Sequence, residues 1–402
     1  MAAPLPPHDP PQRRLLRNPA FVRLWLAGVF SNAMRWLEIL AGSLFVYAET
    51  RSALAVAVVA MFRALPMLAA GALAGFVAEA MNRKDLLQIG QALNTATSAL
   101  LALSAAAGTL QVWQVALGSL SNGLVFATEM AVRRRMAGEA AGEDLVAPAA
   151  AIDSISNSIT RMLGPVFGGL AYEQLGIVGA YAIGTLGYAL ALMSCRRLDY
   201  SQRAQPVSLR TAPTAIAEAI RLCLDRPVLR QVMIVTVVLN VFGFAYPTVF
   251  PAWGEQVFGA SPTMIGLLAG AEPFGAVLGA WIIATRPPRA APTTLLLGGA
   301  VLFMVLLAVA ANLPVLAVVW LLLAIGGLGT AAFATMQSAL VILNAPSEAR
   351  SRVLGLVTTS IGFGPVGVLA IGALSDAFGP ASALTIMGSA GTVLAILTRP
   401  RR

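Results

Sequence analysis

Long apolar runs separated by short polar interruptions dominate this 402-residue chain. A helix that crosses the hydrocarbon core of a bilayer needs about 20 mainly apolar residues. Runs of that length recur, and we predict twelve transmembrane helices. The predicted spans cover residues 20–48, 53–80, 86–108, 112–134, 148–172, 177–195, 229–253, 262–285, 293–311, 315–343, 351–375 and 380–398.

The composition points to the same class of protein. Hydrophobic residues make up 58% of the chain and charged residues only 11%, which argues against a water-soluble globular domain. The 37 glycines allow the close approach that membrane helices need when they pack. We therefore predict an all-α membrane protein. One histidine, His8, and two cysteines offer little for a metal site, so we expect no metal, no cofactor and no disulfide.

The basic residues predict an orientation. With the N-terminus placed inside the cell, 23 of the 27 basic residues fall in cytoplasmic segments, Arg51 alone falls outside, and Arg35, Arg63 and Arg161 lie within spans. Cytoplasmic segments of membrane proteins are enriched in Lys and Arg. We therefore expect both termini in the cytoplasm of a bacterial inner membrane. A nucleic-acid partner is not expected, because these arginines lie between apolar blocks rather than on a soluble basic face.

The chain carries a faint internal repeat. Parallel repeats of this kind are typical of transporters. We therefore predict an N-terminal tail (1–19), a six-helix bundle (20–195), a cytoplasmic linker (196–228), a second six-helix bundle (229–398) and a C-terminal tail (399–402). Four landmarks recur in the same order at offsets of 200 to 208 residues: Pro19 with Pro227, Pro66 with Pro273, 126–128 with 333–335, and Gly164-Pro165 with Gly364-Pro365.

Four stretches of the chain carry a family resemblance. They are residues 17–25, residues 63–66 followed by Gly71, Gly75 and the basic turn 79–84, residues 143–145 leading into Arg161, and residues 164–169, which read Gly-Pro-Val-Phe-Gly-Gly. The last resembles the Gly-Pro-x-x-Gly-Gly signature of the fifth helix in antiporters. Together they resemble the major facilitator superfamily, and within it the bacterial branch of siderophore (enterobactin) and macrolide exporters.

This resemblance implies two pseudo-symmetric six-helix bundles, alternating access and coupling to protons. It places Gly164, Pro165, Gly168 and Gly169 at the interface between the halves, where the alternative is ordinary packing of small residues. It also implies an inner gate formed by Gly75, Glu79, Arg83 and Lys84. The alternative for the two basic residues is that they only set the orientation, and for the triple 133–135 an orientation anchor or lipid contact is preferred.

Ionisable residues inside spans are expected to have a structural or functional role, because inserting each one at the bilayer centre costs about 2.5–3.5 kcal/mol of free energy. Arg35 and Glu38 share a face of the first helix. One interpretation is that Glu38 faces the central cavity, where it binds a cationic substrate or exchanges a proton, with Asn32 and Trp36 beside it. The other is an internal Arg35–Glu38 ion pair that makes the helix insertable.

Arg63 and Glu272 flank the two repeated prolines, so the repeat places them at a similar depth in opposite halves. A pair that forms in one access state and separates in the other would be a gate. The alternative is that each residue meets a partner within its own half. The other ionisable candidates are Arg161 at midspan, and Glu129 and Asp153 nearer the inner end.

The predicted function is secondary active export of an amphipathic, drug- or siderophore-like molecule by proton antiport. The expected polar lining of the cavity is Asn32, Glu38, Asn122, Glu129, Asn240, Tyr246 and Gln337. No Gly-x-x-x-x-Gly-Lys-[Ser/Thr] loop for ATP occurs. The alternatives are a transport-inactive membrane sensor or partner protein and a membrane-embedded lipid-modifying enzyme. We expect a monomer, not an enzyme, that meets membrane lipids, protons and a small-molecule substrate.

Overall fold

The computed structural model describes residues 11–80, 82–198, 212–286, 289–346 and 349–398, without the side chains of 11–13, 67–80, 130, 131, 143, 212–217, 219 and 351. Within these residues the chain forms fifteen α-helices and no strand. They are α1 (Pro11–Arg17), α2 (Pro19–Thr50), α3 (Ala53–Ala80), α4 (Arg83–Ala106), α5 (Val112–Ala141), α6 (Val146–Arg196), α7 (Ala212–Asp225), α8 (Pro227–Val238), α9 (Phe250–Phe258), α10 (Pro262–Thr285), α11 (Pro292–Ala310), α12 (Leu316–Asn344), α13 (Arg350–Ile361), α14 (Gly364–Phe378) and α15 (Pro380–Leu397).

Each of the twelve predicted spans falls on helical segments of the described chain, but the seventh and the eleventh are interrupted. Helix α6 holds the fifth and sixth spans, which Gly176 divides with a left-handed φ of 64°. Helices α8 and α9 form the seventh span, and α13 and α14 form the eleventh. Eight described stretches are long and apolar enough to cross a bilayer on length and composition alone. Helices α2 to α4 fall outside that set, and α2 carries Arg35 and Glu38 within its span.

Prolines set where many helices begin. The first position of a helix tolerates proline because its N–H has no intrahelical acceptor. Pro19 and Pro227, the first repeated landmark, begin α2 and α8. At α2 the Asn18 side chain also caps the helix, accepting hydrogen bonds from the amides of Ala20 at 3.0 Å and Phe21 at 3.3 Å. The repeat therefore has a local structural basis at the start of each half.

The seventh span is interrupted, which corrects the prediction of one continuous helix over 229–253. After α8 the chain forms a wide helical turn over Leu239–Gly243 and a tight turn over Tyr246–Val249 before α9 begins. Pro247 and Pro251 lack the N–H that a continuous helix would use, and Gly243 adds backbone freedom. The seventh span is thus a broken helix that extends to Phe258.

Two helices lie outside the predicted spans. Helix α1 occupies part of the predicted tail, where Leu15 is fully buried. Helix α7 occupies the predicted linker and is joined to α13 by an ion pair between Glu218 and Arg352 at 2.9 Å. The two cysteines are buried, Cys195 near the end of α6 and Cys223 in α7. A search for apolar runs of 20 residues passes over helices this short.

Helices α2 to α6 pack on one another as the first bundle, and α8 to α15 form the second. The bundles meet where α6 contacts α10 and where α3 contacts α14. Each landmark of the repeat falls in the corresponding helix of its bundle, such as Pro66 inside α3 and Pro273 inside α10. The fold is therefore all-α, with twelve spans in two pseudo-symmetric bundles, as predicted.

Candidate functional site

An ion pair between a buried carboxylate and a partly exposed arginine, whose side chain is 36% exposed, joins the two bundles midway along the spans. Glu272 on α10 is 1% exposed. One carboxylate oxygen accepts from the guanidinium of Arg161 on α6, and the other accepts from the Thr330 hydroxyl on α12 at 2.5 Å. A buried carboxylate needs such partners, because an unpaired charge is costly away from water. The pair therefore ties the state of Glu272 to the relative position of the bundles.

A cavity of about 230 Å³ lies beside this pair. It extends along α6, α10 and α12, from the pair toward the end of the spans opposite the α2–α3 turn. Apart from the charged pair and a few hydroxyls, its lining is apolar. Such a lining suits a bulky, poorly hydrated solute. Its main members are Ser158, Arg161, Phe244, Glu272, Thr330 and Thr335.

Glycines bring α6 and α10 into backbone contact around the pair. A Cβ on Gly266 would lie 2.5 Å from the Pro165 carbonyl oxygen, and one on Gly169 would lie 2.2 Å from that of Pro262. On its other side, α6 uses Gly168 against the Leu37 carbonyl of α2, where a Cβ would lie at 2.5 Å. The signature residues thus contact both the opposite bundle and their own.

Other signature positions divide the same way. A Cβ on Gly164 would lie 2.4 Å from the Cβ of Trp36, so this glycine packs within the first bundle. Its repeat counterpart, Gly364, has the Asn240 carbonyl oxygen at 3.8 Å, and Pro365 follows it in the first turn of α14. In the second bundle the close approach shifts to Gly367. The repeat therefore preserves the helices but not each contact.

Arg63 and Glu272, the predicted gate pair, are not paired in this structure. Glu272 pairs with Arg161, whereas Arg63 lines a separate cavity inside the first bundle. The Arg63 carbonyl packs on Gly123 of α5, where a Cβ would lie at 2.0 Å. The pair between the halves therefore exists with a different arginine, contributed by the fifth span rather than the second.

A second charged cluster lies in the first bundle. Glu129 on α5 is 5% exposed, pairs with Arg35 at 3.1 Å and accepts from the Ser31 hydroxyl at 2.9 Å. Arg35 also donates to Asn32 at 2.6 Å and stacks over the Phe126 ring, 4.0 Å from its centroid. The structure therefore brings Asn32, Arg35 and Glu129 together. The predicted pair between Arg35 and Glu38 is replaced by this contact between two helices.

The three arginines at 133–135 differ in their burial. Arg133 is 4% exposed, and its guanidinium donates to Asp153 and lies directly over Gly28 of α2. Arg134 and Arg135 are exposed. Burial therefore excludes a lipid contact for Arg133, which joins α2, α5 and α6, and its part in setting the orientation stays a prediction. An orientation anchor or lipid contact is compatible with the other two.

Glu38 does not face the interface between the bundles, which corrects its predicted position in a central cavity. It lies between α2, α4 and α6. Ser98 donates to one carboxylate oxygen at 2.5 Å, and the Tyr188 hydroxyl is 3.5 Å from the other. Tyr188 in turn accepts from Asn122 at 2.9 Å, and Gly184 leaves room for the carboxylate. Glu38 thus belongs to a polar network inside the first bundle.

Sequence reasoning missed the contribution of the third span to this network. Gln91, Asn94 and Ser98 are 1–2% exposed and line one face of α4. Their spacing of three and four residues is the signal that could have found them, since such positions share a helix face. Gln91 also reaches the Ser31 hydroxyl at 3.4 Å.

The predicted lining residues of the second bundle are buried within it. Gln337 donates to the Thr236 hydroxyl at 2.6 Å, and Asn240 donates to the Thr236 carbonyl at 2.9 Å. Tyr246 is 3% exposed and packs edge-on against Phe250, with centroids 5.1 Å apart. These residues support the broken seventh span. None of the three lines the cavity beside Glu272.

The bundles also meet at one end of the spans, here called the sealed end, which carries the turns at 51–52, 176, 259–261 and 379. Asp376 at the end of α14 caps the first turn of α3 in the other bundle. It accepts from the Ser52 hydroxyl at 2.5 Å and from the amides of Ala53 at 2.7 Å and Leu54 at 3.2 Å. The start of a helix favours a carboxylate, because its amides lack acceptors.

Three more contacts join the bundles at the sealed end. An ion pair links Arg51 with Glu255, Gln256 donates to the Tyr47 hydroxyl at 2.7 Å, and Thr263 donates its amide to Glu173 at 2.9 Å. The described cavity beside Glu272 extends away from this end. The structure is therefore a state in which the sealed end is closed.

We expect Asp376→Asn to loosen the sealed end, because an amide is neutral and a weaker acceptor for the α3 amides. The loss should be about 1 kcal/mol, a common value for a helix cap. A thiol reagent that reacts with a cysteine introduced at Ala57 should then react several-fold faster than in the Ala57→Cys parent. An Asp225→Asn variant outside this end is the matched control. Equal reactivity in all three proteins would contradict the role of the cap.

The predicted inner gate is described only in part. Arg83 is 4% exposed and pairs with Glu139 of the same bundle at 2.9 Å. Lys84 lies in the first turn of α4, which Asn82 caps at 3.0 Å. The surroundings of Gly75 and the side chain of Glu79 lie outside the described residues. The structure thus gives Arg83 a partner within its own half.

Comparison with known proteins assigns the chain to a family. Residues 14–400 match the family described as "Transmembrane secretion effector". The chain is 27% identical to the multidrug efflux pump Tap of Mycolicibacterium fortuitum over 378 residues, covering 90% of each chain. It is also 27% identical to Tap of Mycobacterium tuberculosis over 387 residues, covering 90% of this chain and 88% of that one.

Solved structures agree on the fold. A bacterial homologue of the human lysosomal transporter Spinster, described as inward-facing and unoccupied, has a TM-score of 0.73 at 15% identity, with 94% of each chain covered. The nucleoside transporter NupG has a TM-score of 0.71 at 15% identity, covering 94% of this chain and 98% of that one. The chain belongs to the transmembrane secretion effector family of the major facilitator superfamily, and is a multi-pass membrane transporter.

Proposed function

We propose that the chain exports amphipathic small organic molecules from the cytoplasm, in exchange for protons, by alternating access. The observation that carries this proposal is the ion pair of Arg161 with the buried Glu272, which joins the two bundles beside an apolar cavity. The efflux pumps among its relatives support the direction of transport. Siderophore export, the other substrate class that the sequence predicts, remains a prediction.

The proposed orientation follows the distribution of basic residues. With both termini in the cytoplasm of a bacterial inner membrane, the sealed end faces outward and the cavity beside Glu272 extends toward the cytoplasm. The bundles are proposed as residues 20–195 and 229–398, with the linker 196–228 between them, acting as a monomer. A substrate would then enter the cavity from the cytoplasmic side or from the inner leaflet.

Glu272 is the proposed proton carrier. A proton on its carboxyl removes the charge that holds Arg161, so the link between the bundles weakens when Glu272 is neutral. Substrate in the cavity would meet the same two side chains. Competition between proton and substrate for one site is a simple basis for exchange. Glu38 and Glu129 lie in the first bundle, away from the cavity, and we assign them to its internal network.

Proteoliposomes test this assignment. With a proton gradient and a panel of fluorescent amphipathic dyes, the parent should accumulate dye and release protons. Glu272→Gln should lose proton-driven accumulation at least tenfold while retaining dye exchange, because Gln keeps the shape of the side chain but cannot be deprotonated. Glu218→Gln, on the exposed surface of α7, is the matched control.

Two outcomes would contradict the proposal. One is proton-coupled accumulation by Glu272→Gln at the parent's rate. The other is a parent that moves none of the dyes although it is folded, which would favour the sensor alternative. If Glu129→Gln or Glu38→Gln alone abolishes coupling, the carrier lies in the first bundle instead.

A further inference from the structure

The first bundle encloses a second, much smaller cavity, which the proposed export does not use. It measures about 30 Å³ and lies among α2, α3, α4, α5 and α6. A cavity needs about 10–15 Å³ to hold one water molecule. This one therefore has room for one or two small particles and none for an organic substrate. Its polar lining includes Arg35, Glu38, Arg63, Asn94, Ser98 and Asn122.

The charge in this cavity is not balanced. Arg35 is neutralised by Glu129 at 3.1 Å. Arg63 also lines the cavity, yet within the described part of the chain its guanidinium forms no ion pair and no hydrogen bond. A cation at this depth is costly unless an opposite charge accompanies it. Arg63 therefore leaves one positive charge for the cavity to compensate.

A second group in the cavity lacks partners. Asn94 is 2% exposed, and neither its amide nitrogen nor its carbonyl oxygen has a hydrogen-bond partner among the described residues. Leaving such a buried polar group unsatisfied costs about 1–3 kcal/mol per group. The Nε of Arg35 is likewise buried and unpartnered. The cavity thus brings together unused N–H donors, the unused carbonyl oxygens of Asn94 and Asn122, and the cationic Arg63.

Glu38 does not pair with Arg63, and it balances the charge of that arginine only when it is ionised. It is the one carboxylate in the lining of this cavity, as far as the structure describes it, and its oxygens face Ser98 and Tyr188. No ion pair joins Glu38 to Arg63 across the described chain. When Glu38 is protonated, water alone would satisfy the donors but would leave the charge of Arg63 uncompensated.

We propose that this cavity binds a small monovalent inorganic anion of halide size, held between the Arg63 guanidinium and the Asn94 amide nitrogen. The volume selects for size, since polyatomic organic anions exceed it. The bound anion neutralises Arg63 and stabilises the packing of α3 and α4 in the first bundle. It also lies in the same cavity as Glu38, so the anion and an ionised Glu38 repel each other.

The test measures thermal unfolding of the purified full-length protein in detergent at constant ionic strength. Sodium gluconate is replaced stepwise by sodium chloride or bromide. The parent should show a saturable rise in Tm of several degrees, because a ligand that binds only the folded state stabilises it. Sodium sulfate should give no rise of this kind. Because this assay measures unfolding and not transport, a negative result would contradict the anion site without contradicting the proposed export.

Variants locate the effect. Arg63→Gln should abolish the halide-dependent rise, Arg63→Lys should retain part of it, and Asn94→Asp should weaken halide binding at least tenfold by placing a carboxylate in the cavity. Glu38→Gln should strengthen binding, because it removes the competing charge. Arg286→Gln, on an exposed arginine at the end of α10, is the matched control and should titrate like the parent.

The proposal is overturned if the parent's Tm is the same in chloride, bromide and gluconate, which would mean that the cavity holds only water. It is also overturned if Arg63→Gln and Asn94→Asp titrate like the parent, which would place the anion elsewhere. If Arg63→Gln does not fold, Arg63→Lys and Asn94→Asp decide the question. A rise that Glu38→Gln leaves unchanged would contradict the coupling to Glu38.

Discussion

Replacing Arg161 by alanine is expected to abolish export and to destabilise the protein by about 1–3 kcal/mol, the usual cost of leaving one buried acceptor without its partner. The reason is the burial of Glu272, which is 1% exposed and, among the described residues, would retain Thr330 alone as a side-chain partner. Cell-based efflux and thermal unfolding measure the two effects. Arg161→Lys keeps the positive charge but lacks the planar guanidinium group, so partial activity is expected.

A double variant separates the cost of an unpaired carboxylate from the cost of lost packing at Arg161. In Arg161→Ala with Glu272→Gln, no unpaired carboxylate remains, so most of the stability should return while coupled export stays absent. Stability as low in the double variant as in Arg161→Ala would show that the cost arises from lost packing. Parent-like export by Arg161→Ala would remove the pair from the mechanism.

Gly169→Ala is the second change with a large expected effect. Its Cβ would lie 2.2 Å from the Pro262 carbonyl oxygen of the opposite bundle, closer than any real contact of this kind. The backbones of α6 and α10 must then separate, and overpacking of this kind costs about 1–3 kcal/mol. We expect the closed sealed end to be disfavoured and export to fall at least tenfold, as measured in proteoliposomes.

The neighbouring glycine is the matched comparison. Gly168→Ala places its Cβ 2.5 Å from the Leu37 carbonyl oxygen, within one bundle, so it should lower stability without changing which end is open. Gly298→Ala, with no atom within 4 Å, should behave like the parent. Equal shifts in cysteine accessibility at the sealed end in Gly168→Ala and Gly169→Ala would contradict this assignment, in which Gly169 packs against the opposite bundle and Gly168 packs within its own.

The sequence was sufficient for the helices because a bilayer imposes a length and a polarity on every span. Depth was also accessible, since the repeat placed Arg63 and Glu272 at comparable positions. The rotation of each helix about its own axis could not be predicted from the sequence. Two residues at one depth meet only if their faces and helices are adjacent, and the fifth span, which carries Arg161, is the one packed on α10.

The polar networks were harder to predict for a similar reason. Glu38 and Arg35 are near neighbours in sequence, but each finds its partner on another helix, Ser98 of α4 and Glu129 of α5. The break in the seventh span was hidden because its residues are as apolar as those of an intact span. The short helix α7 escaped because its length falls below that of a membrane-crossing run.

The placement of the cysteines has a practical use. Cys195 and Cys223 are the only two in the chain, and they are 1% and 4% exposed. Native thiols this inaccessible should take up little maleimide or nitroxide under gentle labelling. Pairs of engineered cysteines can therefore carry spectroscopic probes on the unaltered background. Distances between probes on opposite bundles would then follow the opening and closing of each end during a transport cycle.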